Sequence, residues 1–207
     1  MFDYIVTGTK GYIGSRLADM LLEKQKKIKV IDNNYFEDCS FEIDSISDNF
    51  NSIKKDIRDL NIEDFEGVKT VLHLAALSND PIGNLNSSWT DDINNSATVR
   101  MAEMAKKAGV ERFIFSSSCI MYGNAKTDEV NEDTPVDPNT DYAKSKVLAE
   151  QKIMELSDSN FAVTSLRNGT VYGYSKYMRF DTVTNDFVGS ALTNKKIIIK
   201  GDGEPWR

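Results

Sequence analysis

The sequence predicts an α/β fold, a doubly wound parallel β-sheet with helices on both faces. Two observations predict it. Short β-branched runs alternate with stretches of helical apolar spacing along most of the chain, which is the order expected of linked β-α-β units. A glycine cluster at residues 8–14 separates the first such run from the first helical stretch. A chain of 207 residues is long enough for one such domain and part of a second.

The composition narrows the possible partners. The net charge is −7 and no basic face is clustered, so we expect neither nucleic acid nor an anionic membrane surface as a partner. Cys39 and Cys119 form no CxxC motif and His73 is the only histidine, so neither a disulfide nor a metal site is expected. The start of the chain lacks a signal-peptide pattern and no apolar run approaches membrane-spanning length, so we expect a cytoplasmic location.

The first β-α unit contains the glycine cluster. Residues 2–7 form an apolar run, and a helical stretch with Ile13, Leu17 and Leu21 follows. The glycines have the spacing GxxGxxG and are Gly8, Gly11 and Gly14. Such a turn lets backbone amides at the helix N-terminus approach a pyrophosphate. The position favours dinucleotide binding, although a glycine triplet by itself also fits any tight turn.

The second strand, residues 28–31, ends at Asp32, which stands 18 residues after Gly14. A carboxylate at this place can accept hydrogen bonds from the adenosine ribose and repels a 2′-phosphate, so it favours NAD over NADP. The alternative is a capping or turn aspartate beside Asn33.

The middle of the chain continues the alternation. Residues 35–51 lack a clear period and are interpreted as a loop, and residues 51–55 as a third strand that ends at Asp56. Asp56 could contact the adenine amino group or serve only as a turn residue. Residues 70–74 are predicted to be a buried strand, within which His73 has apolar neighbours and is interpreted as a core histidine rather than a catalyst.

The second half begins with a predicted helix at residues 92–108, ended by Gly109, and a strand at 112–115. Three serines, residues 116–118, follow that strand, and the carboxyl ends of parallel strands are where such sheets expose their ligand sites. The later predicted elements are a helix at 141–156, a strand at 161–166, a short helix at 185–192 and a strand-like run at 196–200.

Tyr142 and Lys146 are four residues apart in the predicted helix, so they share one face and could form an acid/base pair. A free tyrosine has a pKa of about 10, and general-base work near neutral pH requires a fall of roughly 3 units, or about 4 kcal/mol. A neighbouring lysine and a cationic cofactor ring could supply it. An isolated Tyr-x-x-x-Lys pair is more often a half-buried tyrosine beside a solvated lysine, and the accompanying glycine turn and serines favour the catalytic interpretation.

In this order, the motifs resemble the extended short-chain dehydrogenase/reductase family, specifically its nucleotide-sugar epimerases and dehydratases. The matching pieces are Thr7-Gly8-x-x-Gly11-x-x-Gly14, Asp32, Asp56-Ile57, His73-Leu-Ala-Ala76, Asn94, Ser116-Ser-Ser-x-x-x-Tyr122-Gly123, Tyr142-x-x-x-Lys146, Arg167 with Val171-Tyr172-Gly173, and Gly201-Asp-Gly203 with Arg207. The resemblance implies a Rossmann-type NAD-binding domain at residues 1–166 and the beginning of a small substrate-binding region at 167–207. Because relatives usually continue further, we expect the chain to be part of a longer protein.

The resemblance also implies roles for individual residues. Tyr142 would take a proton from a sugar hydroxyl, Lys146 would hold the cofactor ribose and lower the pKa of the tyrosine, and Ser118 would hydrogen-bond the reacting oxygen. The implied cofactor-binding residues are Gly8, Gly11, Tyr12, Ile13, Gly14, Asp32, Asn33, Asp56, Ile57, Leu74, Ala75, Ala76 and Asn94, together with Tyr142 and Lys146. The implied substrate-binding residues are Ser78, Ser117, Ser118, Thr170, Asn185 and Arg207.

Two departures bear on the reaction. In the 4,6-dehydratases the two positions after the catalytic serine or threonine are acidic, whereas this chain has Cys119 and Ile120, which disfavours dehydration by that route. Many relatives have an asparagine where this chain has Thr170. We therefore expect an NAD-dependent epimerase of a nucleotide sugar, working as a homodimer. The alternatives are a dehydrogenase or reductase of the same family and a non-catalytic NAD-binding module.

Overall fold

The computed structural model describes residues 1–41, 49–78, 83–123 and 129–199. Within these residues six parallel strands form one sheet. The strands are β1 Phe2–Thr7, β2 Ile28–Asp32, β3 Phe50–Lys54, β4 Val68–His73, β5 Arg112–Ser118 and β6 Ala162–Asn168. Their order across the sheet is β3-β2-β1-β4-β5-β6. This arrangement confirms the predicted fold class.

Helices lie on both faces of the sheet. They are α1 Tyr12–Glu23, α2 Ser87–Asp91, a π-helical segment Asp92–Ala97, α3 Thr98–Lys107, α4 Asp141–Met154 and α5 Val183–Asn194. Short 3₁₀ turns include Ile57–Asp59 and Cys119–Tyr122. No helix among the described residues is both long and apolar enough to cross a bilayer.

Adjacent residues of the central strands enter cores on opposite faces of the sheet. Ile5 packs with residues of α3 and α4, whereas Val6 packs with Ala18 of α1. Both strand residues are fully buried. Because both faces are covered by helices, the central strands are apolar on both sides, which is characteristic of a parallel sheet.

The chain reverses its direction of progress across the sheet at β1. β2 and β3 extend to one side, and β4 to β6 extend to the other. Thr7 is in register with Ile31 on one neighbour and with His73 on the other. The loops after β1 and β4 therefore start side by side at the carboxyl ends of these two strands, at the switch point of the sheet. Open α/β sheets bind their ligands at this place.

Two predicted elements differ in the structure. The helix predicted at 92–108 is preceded by α2 and is π-helical from Asp92 to Ala97, because apolar spacing does not distinguish the wider π turn from an α turn. Residues 196–199 do not join a strand, although the sequence predicted one at 196–200, and Lys200 lies outside the described residues. A β-prone run needs a strand to pair with, and the described residues provide none here.

Candidate active site

The glycine turn after β1 has a geometry that side chains would prevent. Gly8 has φ +78°, a conformation favoured by glycine, and a Cβ there would lie 2.7 Å from the Ala75 backbone nitrogen. A Cβ on Gly14 would collide with the carbonyl oxygen of Gly8. Gly11 precedes α1 and supplies no side-chain cap to it. The two glycines therefore let the turn fold closely against itself and against the residues after β4, and no side chain caps the backbone amides at the start of α1.

Asp32 lies at the end of β2, beside this turn. Its Oδ2 accepts a hydrogen bond from the Lys10 backbone nitrogen at 2.8 Å, and its Oδ1 accepts one from the Asn34 nitrogen at 2.9 Å. Each carboxylate oxygen can accept a second hydrogen bond. The side chain is thus fixed in orientation and still able to receive hydroxyl groups of a ribose.

Helix α4 carries Tyr142 and Lys146 in its first two turns. It starts there because the Thr140 hydroxyl caps it, accepting from the Ala143 nitrogen at 3.1 Å. The half-buried Tyr142 contacts Gly83, where an added Cβ would lie 3.2 Å from the tyrosine Cβ. The helix therefore places both side chains at the carboxyl end of the sheet.

Lys146 is 3% exposed and lies between the helix and β5. Its Nζ donates to the Ser116 carbonyl oxygen at 2.9 Å and lies 4.5 Å from the centre of the Phe115 ring and 5.9 Å from that of Tyr142. Burial lowers the pKa of Lys146 to about 7. This position lets the amine influence the tyrosine and lose or gain a proton near neutral pH.

The three serines at the end of β5 have different surroundings. Ser118 is half-buried and begins the 3₁₀ turn, with its Oγ accepting from the Ile120 nitrogen at 3.3 Å. Ser117 is 3% exposed, and its Oγ has no hydrogen-bond partner among the described residues. Ser116 Oγ accepts from Asn168 at 3.0 Å. The hydroxyl of Ser118 thus lies at the strand end, and its contact with a ligand stays a prediction.

Asn94 lies in the π-helical segment and is fully buried. Its Oδ1 accepts from the Leu77 nitrogen at 2.8 Å, and its Nδ2 donates to the Leu77 oxygen at 3.1 Å and to Ser145 Oγ at 3.2 Å. The side chain thus joins the loop after β4 to the residue that precedes Lys146. Irregular helical turns of this kind are frequent at functional sites.

His73 is buried at the end of β4 and has a defined tautomer. Thr7 Oγ1 accepts from the Leu74 and Ala75 nitrogens, both at 3.2 Å, so its own hydrogen is donated to His73 Nδ1 at 2.7 Å. The proton on Nε2 is then donated to Thr98 Oγ1 at 2.8 Å. Burial, and secondly the charge of Lys146, hold the pKa of His73 well below its ordinary value. The burial of His73 and these contacts confirm the prediction that it is a core residue.

Replacing His73 with phenylalanine is expected to lower the free energy of unfolding by about 2–5 kcal/mol, because the buried Thr7 and Thr98 hydroxyls each lose a partner. Denaturant unfolding measures this loss. The double variant His73→Phe/Thr98→Val should recover part of it, since both partners of one hydrogen bond are then apolar. An unchanged unfolding midpoint in His73→Phe would contradict the interpretation.

The profile of the NAD dependent epimerase/dehydratase family matches residues 4–207 of the chain. The chain belongs to this family. The resemblance inferred from the motifs is thereby confirmed, and so is the predicted cofactor, because members of the family are NAD dependent.

Relatives in the family carry out more than one reaction. A putative UDP-glucose 4-epimerase from Methanocaldococcus jannaschii is 30% identical over 98% of the chain and 67% of its own length. A dTDP-D-glucose 4,6-dehydratase from Mus musculus is 28% identical over 96% of the chain and 58% of its own length. The solved structure of MoeE5 in complex with UDP-glucose and NAD is 29% identical, with a TM-score of 0.81, over 97% of the chain and 64% of that protein. The chain thus spans about three fifths to two thirds of these relatives.

The structure fits the family's cofactor. The turn at Gly8 and Gly14 is closed to any side chain, the start of α1 is uncapped, and Asp32 keeps accepting capacity at the end of β2. Buried Lys146 places its amine at the carboxyl end of β5, where Nζ donates to the Ser116 carbonyl oxygen. These residues would hold the pyrophosphate, the adenosine ribose and the second ribose of NAD.

Other residues with predicted ligand roles take part in protein contacts. Tyr12 OH donates to the Gly173 oxygen at 2.6 Å and accepts from Asn185 Nδ2 at 3.0 Å. Asp56 forms a two-point ion pair with Arg58, which lowers the pKa of the carboxyl group. These contacts position the side chains, and ligand binding by Tyr12, Asp56 and Asn185 stays a prediction.

The remaining predicted residues are less constrained by the structure. Ser78 and Thr170 are exposed, whereas Ile57, the first residue of the 3₁₀ turn after Asp56, is buried. Leu74, Ala75 and Ala76 follow β4 and are half-buried beside the glycine turn, and Ile13 and Asn33 flank that turn and Asp32. Arg207 lies outside the described residues.

Arg179 lies beside the predicted site and was not identified from the sequence. It forms a two-point ion pair with Asp181, at 3.0 and 2.7 Å, and donates to the Ser78 carbonyl oxygen at 3.5 Å. Its pKa is raised by Asp181 first and also by Tyr142 and Tyr12. This arginine is therefore near the predicted catalytic tyrosine. It stands in an aperiodic stretch, so no spacing in the sequence pointed to it.

Proposed function

We propose that this protein is an NAD-dependent epimerase of a nucleotide-activated sugar. The bound cofactor would accept a hydride from one sugar carbon and return it to the opposite face of that carbon. Tyr142 takes the proton of the hydroxyl on the same carbon and later returns it. Ser118 hydrogen-bonds that oxygen, and Lys146 stabilises the tyrosinate through its positive charge.

One observation carries the proposal. Helix α4 and the end of β5 bring Tyr142, Lys146 and Ser118 to the same edge of the sheet, while Cys119 and Ile120 occupy the turn after Ser118. An oxidation–reduction cycle needs the first three side chains. Water elimination by the two-carboxylate route needs acidic groups at the two positions after the serine, and a thiol and an aliphatic side chain do not supply them.

The decisive experiment incubates the complete protein with catalytic NAD and a panel of nucleotide sugars, and follows products by NMR and reduced cofactor by absorbance. An epimer that forms without accumulating NADH supports the proposal. Stoichiometric NADH, or turnover only with NADPH, would establish the dehydrogenase or reductase alternative instead. A 4-keto-6-deoxy product would establish dehydration.

Asp32→Asn is expected to reduce the preference for NAD over NADP by at least tenfold, about 1.4 kcal/mol, because the charge that repels a 2′-phosphate is removed. Calorimetry measures the dissociation constants of NAD and NADP, and the ratio of the two constants gives the preference. Asp38→Asn is a matched control, since Asp38 is an exposed aspartate in the following segment. An unchanged ratio in Asp32→Asn would remove the ribose role from Asp32.

A homodimer and a cytoplasmic location are part of the proposal. The dimer contact is proposed to involve the helical residues 92–108 and 141–156, and within the second range α4 presents Leu148 and Met154 at 41% and 44% exposure. Light scattering of the complete protein, with charged substitutions at these two residues, tests the assembly.

A further inference from the structure

A buried charged network joins the end of β6 to helix α4. Arg167 Nε and Nη2 both donate to Glu150 Oε1, at 2.9 and 2.7 Å. The two side chains are 20% and 10% exposed. Hydrogen bonds between ionised groups in such surroundings are about twice as strong as neutral ones, and this one raises the pKa of Arg167. The pair holds β6 and α4 in one relative position.

The same guanidinium reaches the turn that begins at Ser118. Arg167 Nη1 donates to Tyr122 OH at 2.8 Å and to the Glu132 carbonyl oxygen at 3.0 Å. Tyr122 OH donates in turn to the Asn131 oxygen at 2.7 Å. Tyr122 is the last residue of the 3₁₀ turn, so Arg167 fixes the end of the turn that Ser118 caps.

The network adjoins the predicted catalytic group on helix α4 and at the end of β5. Glu150 follows Lys146 by one helical turn and Tyr142 by two, so all three side chains lie along one face of α4. Arg167 is the register partner of Ser117 on the adjacent strand. We infer that Arg167, held by Glu150 and Tyr122, is a positioning residue that sets Ser118 against Tyr142 and Lys146; this inference rests on the proposed function.

Two buried atoms argue against a role in stability alone. Glu150 Oε2 and Ser117 Oγ are buried and have no hydrogen-bond partner within the described part of the chain. An incompletely satisfied buried ion pair contributes little net stability compared with apolar side chains of similar size. Orientation of the neighbouring catalytic groups explains why charged groups occupy this position.

The test compares Arg167→Lys with Arg112→Lys in the complete protein. Lysine keeps the charge at residue 167 but has no fork to contact Glu150 and Tyr122 together. The control arginine is at the opposite end of β5, where its Nε donates to Thr70 at 3.2 Å. We expect Arg167→Lys to lower kcat at least tenfold with the NAD dissociation constant changed less than twofold, and Arg112→Lys to change neither.

Tyr122→Phe is a milder variant that removes only one hydroxyl, and it keeps the inference testable if Arg167→Lys folds poorly. We expect Tyr122→Phe to lower kcat about threefold to tenfold. Its effect on kcat should be smaller in the Arg167→Lys background than in the wild type, because both changes disrupt the same contact between Arg167 and Tyr122. If both variants have a lower melting temperature and an unchanged kcat, the network only stabilises the fold and the inference is wrong.

Amide hydrogen exchange supplies a readout that does not require turnover. In Tyr122→Phe the Ile120 amide, which donates to Ser118, should exchange faster, whereas the Leu77 amide, which donates to Asn94, should not. Unchanged exchange at Ile120 would overturn the inference. If the wild type acts on no nucleotide sugar, the proposed function fails, and this exchange comparison still decides whether Arg167 and Tyr122 hold the turn.

Discussion

Replacing Tyr142 with phenylalanine is expected to lower kcat on the nucleotide sugar by about 10²–10⁴-fold, because the group that takes and returns the hydroxyl proton is removed. The NAD dissociation constant should change less than twofold, since Lys146 and the glycine turn are unaffected. Steady-state kinetics of the complete protein and calorimetric titration with NAD measure the two quantities.

The matched control is Tyr4→Phe. Tyr4 is also half-buried but lies near the amino end of β1, away from the edge that carries the site. It should retain wild-type kcat. Nearly normal activity of Tyr142→Phe would contradict the acid/base assignment. Loss of NAD binding by the same variant would show instead that the tyrosine acts through the cofactor site.

Lys146→Met is expected to abolish most activity and, at the same time, to stabilise the cofactor-free protein at pH 6. The folded state has a lysine pKa of about 7, compared with 10.5 ordinarily. Between these values the unfolded chain binds more protons, so wild-type stability rises with pH across this window, by at most about 5 kcal/mol. Below pH 7 that contribution is absent, because the buried ammonium is charged in both states.

Methionine fills the same space without a charge and should remove this pH dependence. The lost hydrogen bond to the Ser116 carbonyl oxygen offsets the gain by about 1 kcal/mol, so we expect a net stabilisation of roughly 1–3 kcal/mol at pH 6. Urea unfolding at pH 6 and pH 9 measures both effects. Lys152→Met, on an exposed position of the same helix, should leave the pH dependence intact. A variant less stable than wild type at pH 6 would contradict the expected effect of desolvation.

The features that the sequence predicted well are local ones. The glycine turn depends on the left-handed backbone of Gly8 and on the lack of a side chain at Gly14, and the spacing of four residues puts Tyr142 and Lys146 on one face of helix α4. Each signal is contained in a few consecutive residues. The alternation of such segments was then enough to predict a parallel, doubly wound sheet.

Features that depend on contacts between distant segments were not predictable. The fork of Arg167 meets Glu150 and Tyr122 only after β6, α4 and β5 have packed together, and no spacing relates the three residues. The π-helical segment buries the polar Asn94, and apolar periodicity predicts neither this burial nor the wider helical turn. Residues 196–199 show the opposite error, because their β propensity predicted a strand where the described residues provide no partner strand.

The contacts between Tyr12 and Asn185 have a consequence for cooperativity. These residues are 173 positions apart, and Ser175 Oγ adds a hydrogen bond to the Tyr12 oxygen at 2.8 Å and Lys176 an ion pair to Asp19 at 3.0 Å. Unfolding the segment after residue 167 would leave buried groups at the start of α1 without partners. The glycine turn and the predicted substrate-binding region therefore gain their stability from each other and belong to one cooperative unit.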